Sequence, residues 1–305
     1  MRQPATMTGR MRPAGDPLGL TMVLTAAIFL GLAVALSRLA YGGGSNGLTV
    51  ALMRATVGAA CLFLFCRATG RRLLPARRDV LHVGGNGVLA LTMYYGNIGA
   101  VEFIAVGLAA LLFFTYPPLV AALGWLSGRE RLTALRCMAV ATAFLGLAVM
   151  LGVSFQAVDL RGVALALAAA LGAAINALWV VHLLRHVDGA VIGFHMCWIA
   201  GLIMWLAVPA AGLLDWPETA GGWFGLGAVV ALQMLGVPTY IVGMQRVGAL
   251  KSAMFANVQP VVSIVVAYVL FAELLSPPQF LGGALVLGGI WTMQWADRRR
   301  WAGRP

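Results

Sequence analysis

The sequence predicts an all-α polytopic membrane protein of ten transmembrane helices, arranged as two inverted five-helix repeats. Three observations lead there. Apolar runs long enough to cross a bilayer recur along almost the entire chain, basic residues gather in alternate connections between those runs, and the second half repeats a spacing found in the first.

Composition sets the class. Of 305 residues, 61% are hydrophobic and only 10% charged, with a mean hydropathy of +0.90, so lipid is the solvent this chain is built for. A spanning helix needs roughly 20 mostly apolar residues. Such runs are read at 18–40, 48–66, 80–99, 103–126, 134–153, 162–183, 190–211, 223–245, 249–271 and 279–296. Residues 1–17 then form a cytosolic tail, 18–153 and 162–296 the two repeats, and 297–305 a basic cytosolic tail. The first run is too long for the core of a signal peptide and is read as the first span.

Charge supplies the orientation. With the N-terminus inside, every Lys and Arg except Arg38, Arg54 and Arg161 falls on the cytosolic side, as expected for a multi-pass protein of a bacterial inner membrane with both termini cytosolic. The net charge of +11 is therefore topological, and nucleic acid is excluded as a partner because no folded basic face collects it. The partners expected are the lipid bilayer and a small-molecule substrate; no oligomeric state is read from the sequence. Four cysteines, Cys61, Cys66, Cys137 and Cys197, lie in apolar segments without CxxC spacing and read as small hydrophobes. The run GGNG at 84–87 lacks a βαβ context and reads as helix packing, so no cofactor is expected.

A shift of 143 residues carries 98–151 onto 241–294. Pro117 falls on Pro260, Glu130 on Glu273, Thr133 on Ser276, Ala110 on Ala253 and Gly146 on Gly289. Arg129 and Arg131 fall on Ala272 and Leu274, whereas Phe103 falls on Arg246. Five spans is an odd number, so equivalent loops lie on opposite sides and a duplicated unit must redistribute its arginines.

The segments GLAALLFFTYPPLVAALGWLSGRERL at 107–132 and ALKSAMFANVQPVVSIVVAYVLFAELL at 249–275, with Arg54 in LMRATVGA, resemble EamA-type ten-helix transporters of the drug/metabolite transporter superfamily. The resemblance covers nearly the whole chain. It implies two EamA repeats and transport of metabolites, often outward, with amino acids among the substrates. Gln259 stands where the family often has Glu before the Pro, and the first helix lacks the acidic residue that small multidrug members use for proton exchange.

Polar residues inside spans are the candidate substrate contacts. Asn86 and Asn97 lie close to three helical turns apart with Tyr94 on the adjoining face, and Gln233 and Tyr240 lie close to two turns apart. Asn97 and Tyr240 are equivalent positions at the repeat shift, which places them together at a midplane cavity between the halves. Asn176, Trp179 and Asn257 extend the set, with interhelical hydrogen bonding as the alternative role. Arg54, roughly 10 Å along its helix, either binds a substrate carboxylate, snorkels or forms a structural pair. Glu130 and Glu273 either gate the halves or cap the next helix, and Pro117 and Pro260 either open carbonyls to a cavity or kink the helices. Lys251 reads as a boundary residue. His182 and His186 are spaced for a metal but lack a third ligand, so no metal is expected; His195 reads as a hydrogen-bonded interior residue. No nucleophile and base stand together, so catalysis is not expected. The expected function is secondary transport, exporting small metabolites such as amino acids by alternating access. A non-transporting scaffold or receptor, or an intramembrane enzyme, is the alternative.

Overall fold

The computed structural model describes residues 16–130, 132–152, 158–271, 274 and 276–302, apart from the side chains of Asn97 and of residues 300–302. Glu273 and Arg131 lie outside the described residues, as does the Asn97 side chain.

Helix starts are written in short polar side chains. Asp16 caps α1 (Pro17–Gly42) by accepting from the Gly19 N–H, Asn46 caps α2 (Gly47–Ala68), and Thr133 caps α6 (Ala134–Leu151). Asp159, Asp188 and Thr219 do the same for α7 (Leu160–His182), α8 (Gly189–Ala207) and α9 (Ala220–Val247). Each satisfies an N–H that the helix itself leaves open. Between these run α3 (Val80–Ala100), α4 (Val106–Phe113), α5 (Tyr116–Leu126), α10 (Ala249–Ala256), α11 (Val258–Phe271) and α12 (Pro277–Ala302).

Two expected spans are therefore broken. Residues 103–126 divide into α4 and α5, and 249–271 into α10 and α11. Pro117 and Pro260 do not kink a continuous helix; they stand in the first turns of α5 and α11, where a missing N–H costs nothing. The reverse holds for Pro238, which lies inside the unbroken α9. A second difference concerns the C-terminal end. Residues 297–302 continue α12, and Asp297 is buried within it instead of lying in a solvated tail.

Among the described residues all regular structure is helical, and eight segments are long and apolar enough to cross a membrane. α3 and α12 fall outside that set, although they have 21 and 26 residues. His82, Asn86, Asn97 and two tyrosines dilute α3; α12 carries Gln294 and Asp297. Leu64, Leu81, Leu206, Phe224, Val269 and Trp291 are exposed around the bundle, the arrangement a hydrocarbon solvent requires.

The shift of 143 residues relates the elements of the two repeats in order, to within a few residues at α2 and α3. It carries the start of α1 onto that of α7, the cap Asp16 onto the cap Asp159, Val106–Phe113 onto Ala249–Ala256, and the start of α6 onto that of α12. Packing obeys the same exchange. α1 lies on α9 as α7 lies on α3, α1 on α10 and α11 as α7 on α4 and α5, and α2 on α9 as α8 on α3. α2 pairs with its own equivalent α8, and α6 with its own equivalent α12. The two repeats are thus interleaved about a pseudo-twofold axis.

Small residues let α6 and α12 cross closely. A Cβ on Gly146 would lie 2.7 Å from the Gly282 carbonyl oxygen, and one on Gly289 would lie 2.7 Å from that of Ala139. Gly146 and Gly289 are equivalent positions, as are Ala139 and Gly282, so the same contact is made twice. Without a hydrophobic drive between helices in lipid, such backbone approach supplies the association.

Candidate functional site

The two helix breaks meet. At the second break the chain turns at Asn257, whose N–H donates to the Met254 carbonyl at 3.2 Å; just before it, the Ala253 carbonyl accepts from the Tyr116 hydroxyl of the first break at 3.3 Å. Pro117, Pro118 and Pro260 cannot donate to the carbonyls four residues earlier, so both breaks leave backbone oxygens open. The Tyr240 hydroxyl lies beside that of Tyr116, near enough to feel it electrostatically, yet its buried oxygen meets no partner in hydrogen-bonding geometry. The Asn257 carboxamide oxygen is likewise buried without a donor. The rings of Phe113, Phe114 and Tyr116 pack together at 5.5 to 6.1 Å and wall this region with aromatic surface.

A second polar group joins α3, α7 and α8. The Asn176 amide donates to the Asn86 carboxamide oxygen at 2.8 Å and approaches the Met196 sulfur at 3.7 Å. Both asparagines are buried and bind one another across the repeat boundary, which gives them a packing role; the Asn86 amide nitrogen still lacks an acceptor. Trp179 packs on Gly85 and edge-on to His82, with its indole nitrogen buried and unbonded. Gln233 is buried in α9.

Arg54 sits in a third setting. Its guanidinium lies over the Tyr94 ring, 5.4 Å from the centroid, with Cys197 alongside both. Its Nε is buried and makes no hydrogen bond. A cation held at the centre of a spanning helix costs about 2.5 to 3.5 kcal/mol on insertion scales.

The charged residues at one end of the bundle form more contacts than their sequence positions suggest. Arg136 reaches Glu130 at 3.3 Å and Asp297 at 2.6 Å, and Lys251 reaches the other oxygen of Asp297 at 3.1 Å. Lys251 and Asp297 side chains are only 8% and 6% exposed, so Lys251 stands at that end of the bundle as a buried ion-pair partner. Glu130 folds back over Gly124, whose carbonyl accepts from both the Arg129 and Glu130 N–H groups. At the same end Asp16 pairs with Arg246, Arg71 with Asp188 and His186 with Asp79. The Arg246 hydrogen bond holds the Asp16 carboxyl below its ordinary range, and the His186 hydrogen bond does so for Asp79. The His182 Nε2 is buried and unbonded. His195 bonds the Leu73 carbonyl and accepts from Trp198.

Two surface cavities lie away from the helix breaks. One of about 360 Å³ is bounded by Arg71, Arg78, Asp79 and His186, and one of about 410 Å³ by Met53, Trp216, Trp223 and Met234.

This duplicated architecture has a counterpart among known families. The model of the EamA-like transporter family matches residues 17–152 and again 160–294. The chain belongs to the EamA-like transporter family. It is accordingly a multi-pass membrane protein of the drug/metabolite transporter type, a family of transporters and not of enzymes. A solved structure described only as "Crystal structure of protein" shares the fold, with a TM-score of 0.76 at 21% identity over 94% of this chain and 99% of its own. No curated protein matches the sequence.

Tyr116 and Asp297 are among the residues of these clusters absent from the sequence-based candidates. Tyr116 had one available signal, since it directly precedes the proline that marks the break. Asp297 had none, because the basic run after it reads as a tail.

Proposed function

We propose that this EamA-family chain is a secondary transporter that moves small polar metabolites, amino acids among them, outward between its two repeats by alternating access. The observation that carries the reading is the meeting of the two helix breaks, where Tyr116 bonds the Ala253 carbonyl and Tyr240 and Asn257 keep buried polar atoms unbonded. Unsatisfied buried polar groups are costly to the fold, so a ligand that completes them gives them a reason to be there.

In this reading all ten spans cross the membrane. Arg161, at the start of α7, lies over Phe103, just after α3, while Asp79, just before α3, bonds His186 beyond the end of α7. α3 therefore runs the length of the bundle, antiparallel to α7. α12 is similarly antiparallel to α6, since Gly282 approaches Met150 and Asp297 bonds Arg136. Five crossings per unit make the repeats inverted, with substrate at their interface. The end rich in arginine then faces the cytosol of a bacterial cell, with both termini on that side.

Purified full-length protein in liposomes, assayed with radiolabelled amino acids, organic acids and amines, should show saturable flux. Tyr240→Phe and Asn257→Ala should weaken it roughly three- to tenfold, the worth of one polar contact, while leaving stability near wild type because each removes an unsatisfied group. Folded protein without saturable flux would overturn the transport reading; unchanged affinity in both variants would overturn the site.

A further inference from the structure

We infer that Arg54 holds the carboxylate of the transported solute, so that the substrates are carboxylate-bearing anions or zwitterions. The inference rests on the transport reading and deepens it. Arg54 stands about 10 Å from the start of α2 at 1.5 Å per residue. Its guanidinium stays at that depth, because the ring it lies over belongs to Tyr94, about 9 Å from the end of α3. The side chain is thus turned inward and does not snorkel.

The other interior cations are answered by carboxylates: Arg136 and Lys251 share Asp297. Arg54 makes no ion pair or hydrogen bond among the described residues, and its Nε is buried. Its pseudo-twofold equivalent is Cys197, at a shift of 143 residues, and α2 packs on α8, where Cys197 stands beside the guanidinium. A second arginine there would repel the first; a small thiol leaves the guanidinium beside Tyr94 and keeps one uncompensated charge in the interior. A planar guanidinium offers paired N–H donors whose spacing matches the two oxygens of a carboxylate, and no described protein group takes them. A solute carboxylate both neutralises the charge and fills the donors. A cationic solute or a neutral amide does neither.

The test uses full-length protein in liposomes and matched probes: leucine with leucinamide, phenylalanine with phenylalaninamide, lactate with lactamide. Thermal stabilisation of the detergent-purified protein by the same compounds is measured in parallel. Wild type should prefer at least one carboxylate over its amide by about tenfold or more in flux and in half-saturating concentration for stabilisation, the worth of a charge-assisted hydrogen-bonded pair. Arg54→Gln should abolish that preference while retaining the wild-type elution profile, and Arg54→Lys, which keeps the charge but loses the fork, should retain part of it. Equal handling of acids and amides by wild type, or a preference that survives in Arg54→Gln, overturns the inference and leaves transport standing. Flux of none of the probes counts against transport; stabilisation by carboxylates alone, lost in Arg54→Gln, would still establish the site, and its absence as well would reject it.

Discussion

The two ends of the bundle hold the repeats together by different chemistry. At one end Asp16–Arg246, Arg71–Asp188, His186–Asp79 and Arg136–Asp297 each join the first repeat to the second through ionisable side chains. At the other, the Glu218 N–H donates to the Gly43 carbonyl, Ser45 to the Asp215 carbonyl, and Asn46 to the Leu213 carbonyl and the Asp215 carboxylate. An ion pair at that end, Asp159–Arg161, is local to one repeat. The inverted duplication proposed above accounts for the contrast. Equivalent loops lie at opposite ends, so a bias of basic residues to one side favours inter-repeat ion pairs there. Glu130 shows the point: its equivalent is Glu273, but its partner Arg136 is equivalent to Gln279.

The largest stability loss is expected from Asp297→Asn, which takes one carboxylate away from both Lys251 and Arg136. Removing one member of a buried ion pair costs about 3 to 5 kcal/mol, to be read from denaturant midpoints in detergent. Asn46→Ala at the other end removes a helix cap and two links, with an expected loss of about 1 kcal/mol. Equal losses in the two variants would show that the ends are held alike.

Acid should act on the charged end first. The folded carboxyls of Asp16 and Asp79 titrate below their ordinary value of 3.8, so their contribution is complete above that pH and is lost as pH falls through the lowered folded values. Thermal stability measured for wild type and Asp16→Asn should therefore differ by a constant amount from about pH 5 to 8 and converge below about pH 4. A difference that grows with acid would refute the assignment. Arg161→Ala, which loses an exposed local pair and the contact over the Phe103 ring, should lower the unfolding midpoint by less than Asn46→Ala does.

Much of this fold is legible in the sequence because apolar length and arginine placement are one-dimensional signals. The spacing from Pro117 to Glu130 and from Pro260 to Glu273 discloses the duplication. The helix breaks are not legible, since 103–126 and 249–271 are almost continuously apolar and periodicity does not register where the backbone ladder stops. Asn86 and Asn176 both stand out as polar residues in apolar runs, but their bond to each other is set by how α3 meets α7. Lys251 and Asp297 escape for the same reason: each looks like a boundary charge until α10 and α12 are brought together.

The rocking of one repeat against the other is tested most directly by locking the charged end. In a protein whose four native cysteines are replaced, Arg71→Cys and Asp188→Cys joined by a bifunctional thiosulfonate reagent, whose spacer makes up for the lost side-chain length, would place a reducible cross-link where Arg71 and Asp188 pair. Transport by movement between the repeats requires that end to open, so cross-linking should stop solute flux in liposomes and reduction should restore it. Flux that continues at the reduced protein's rate once cross-linking is complete would contradict alternating access between the two halves.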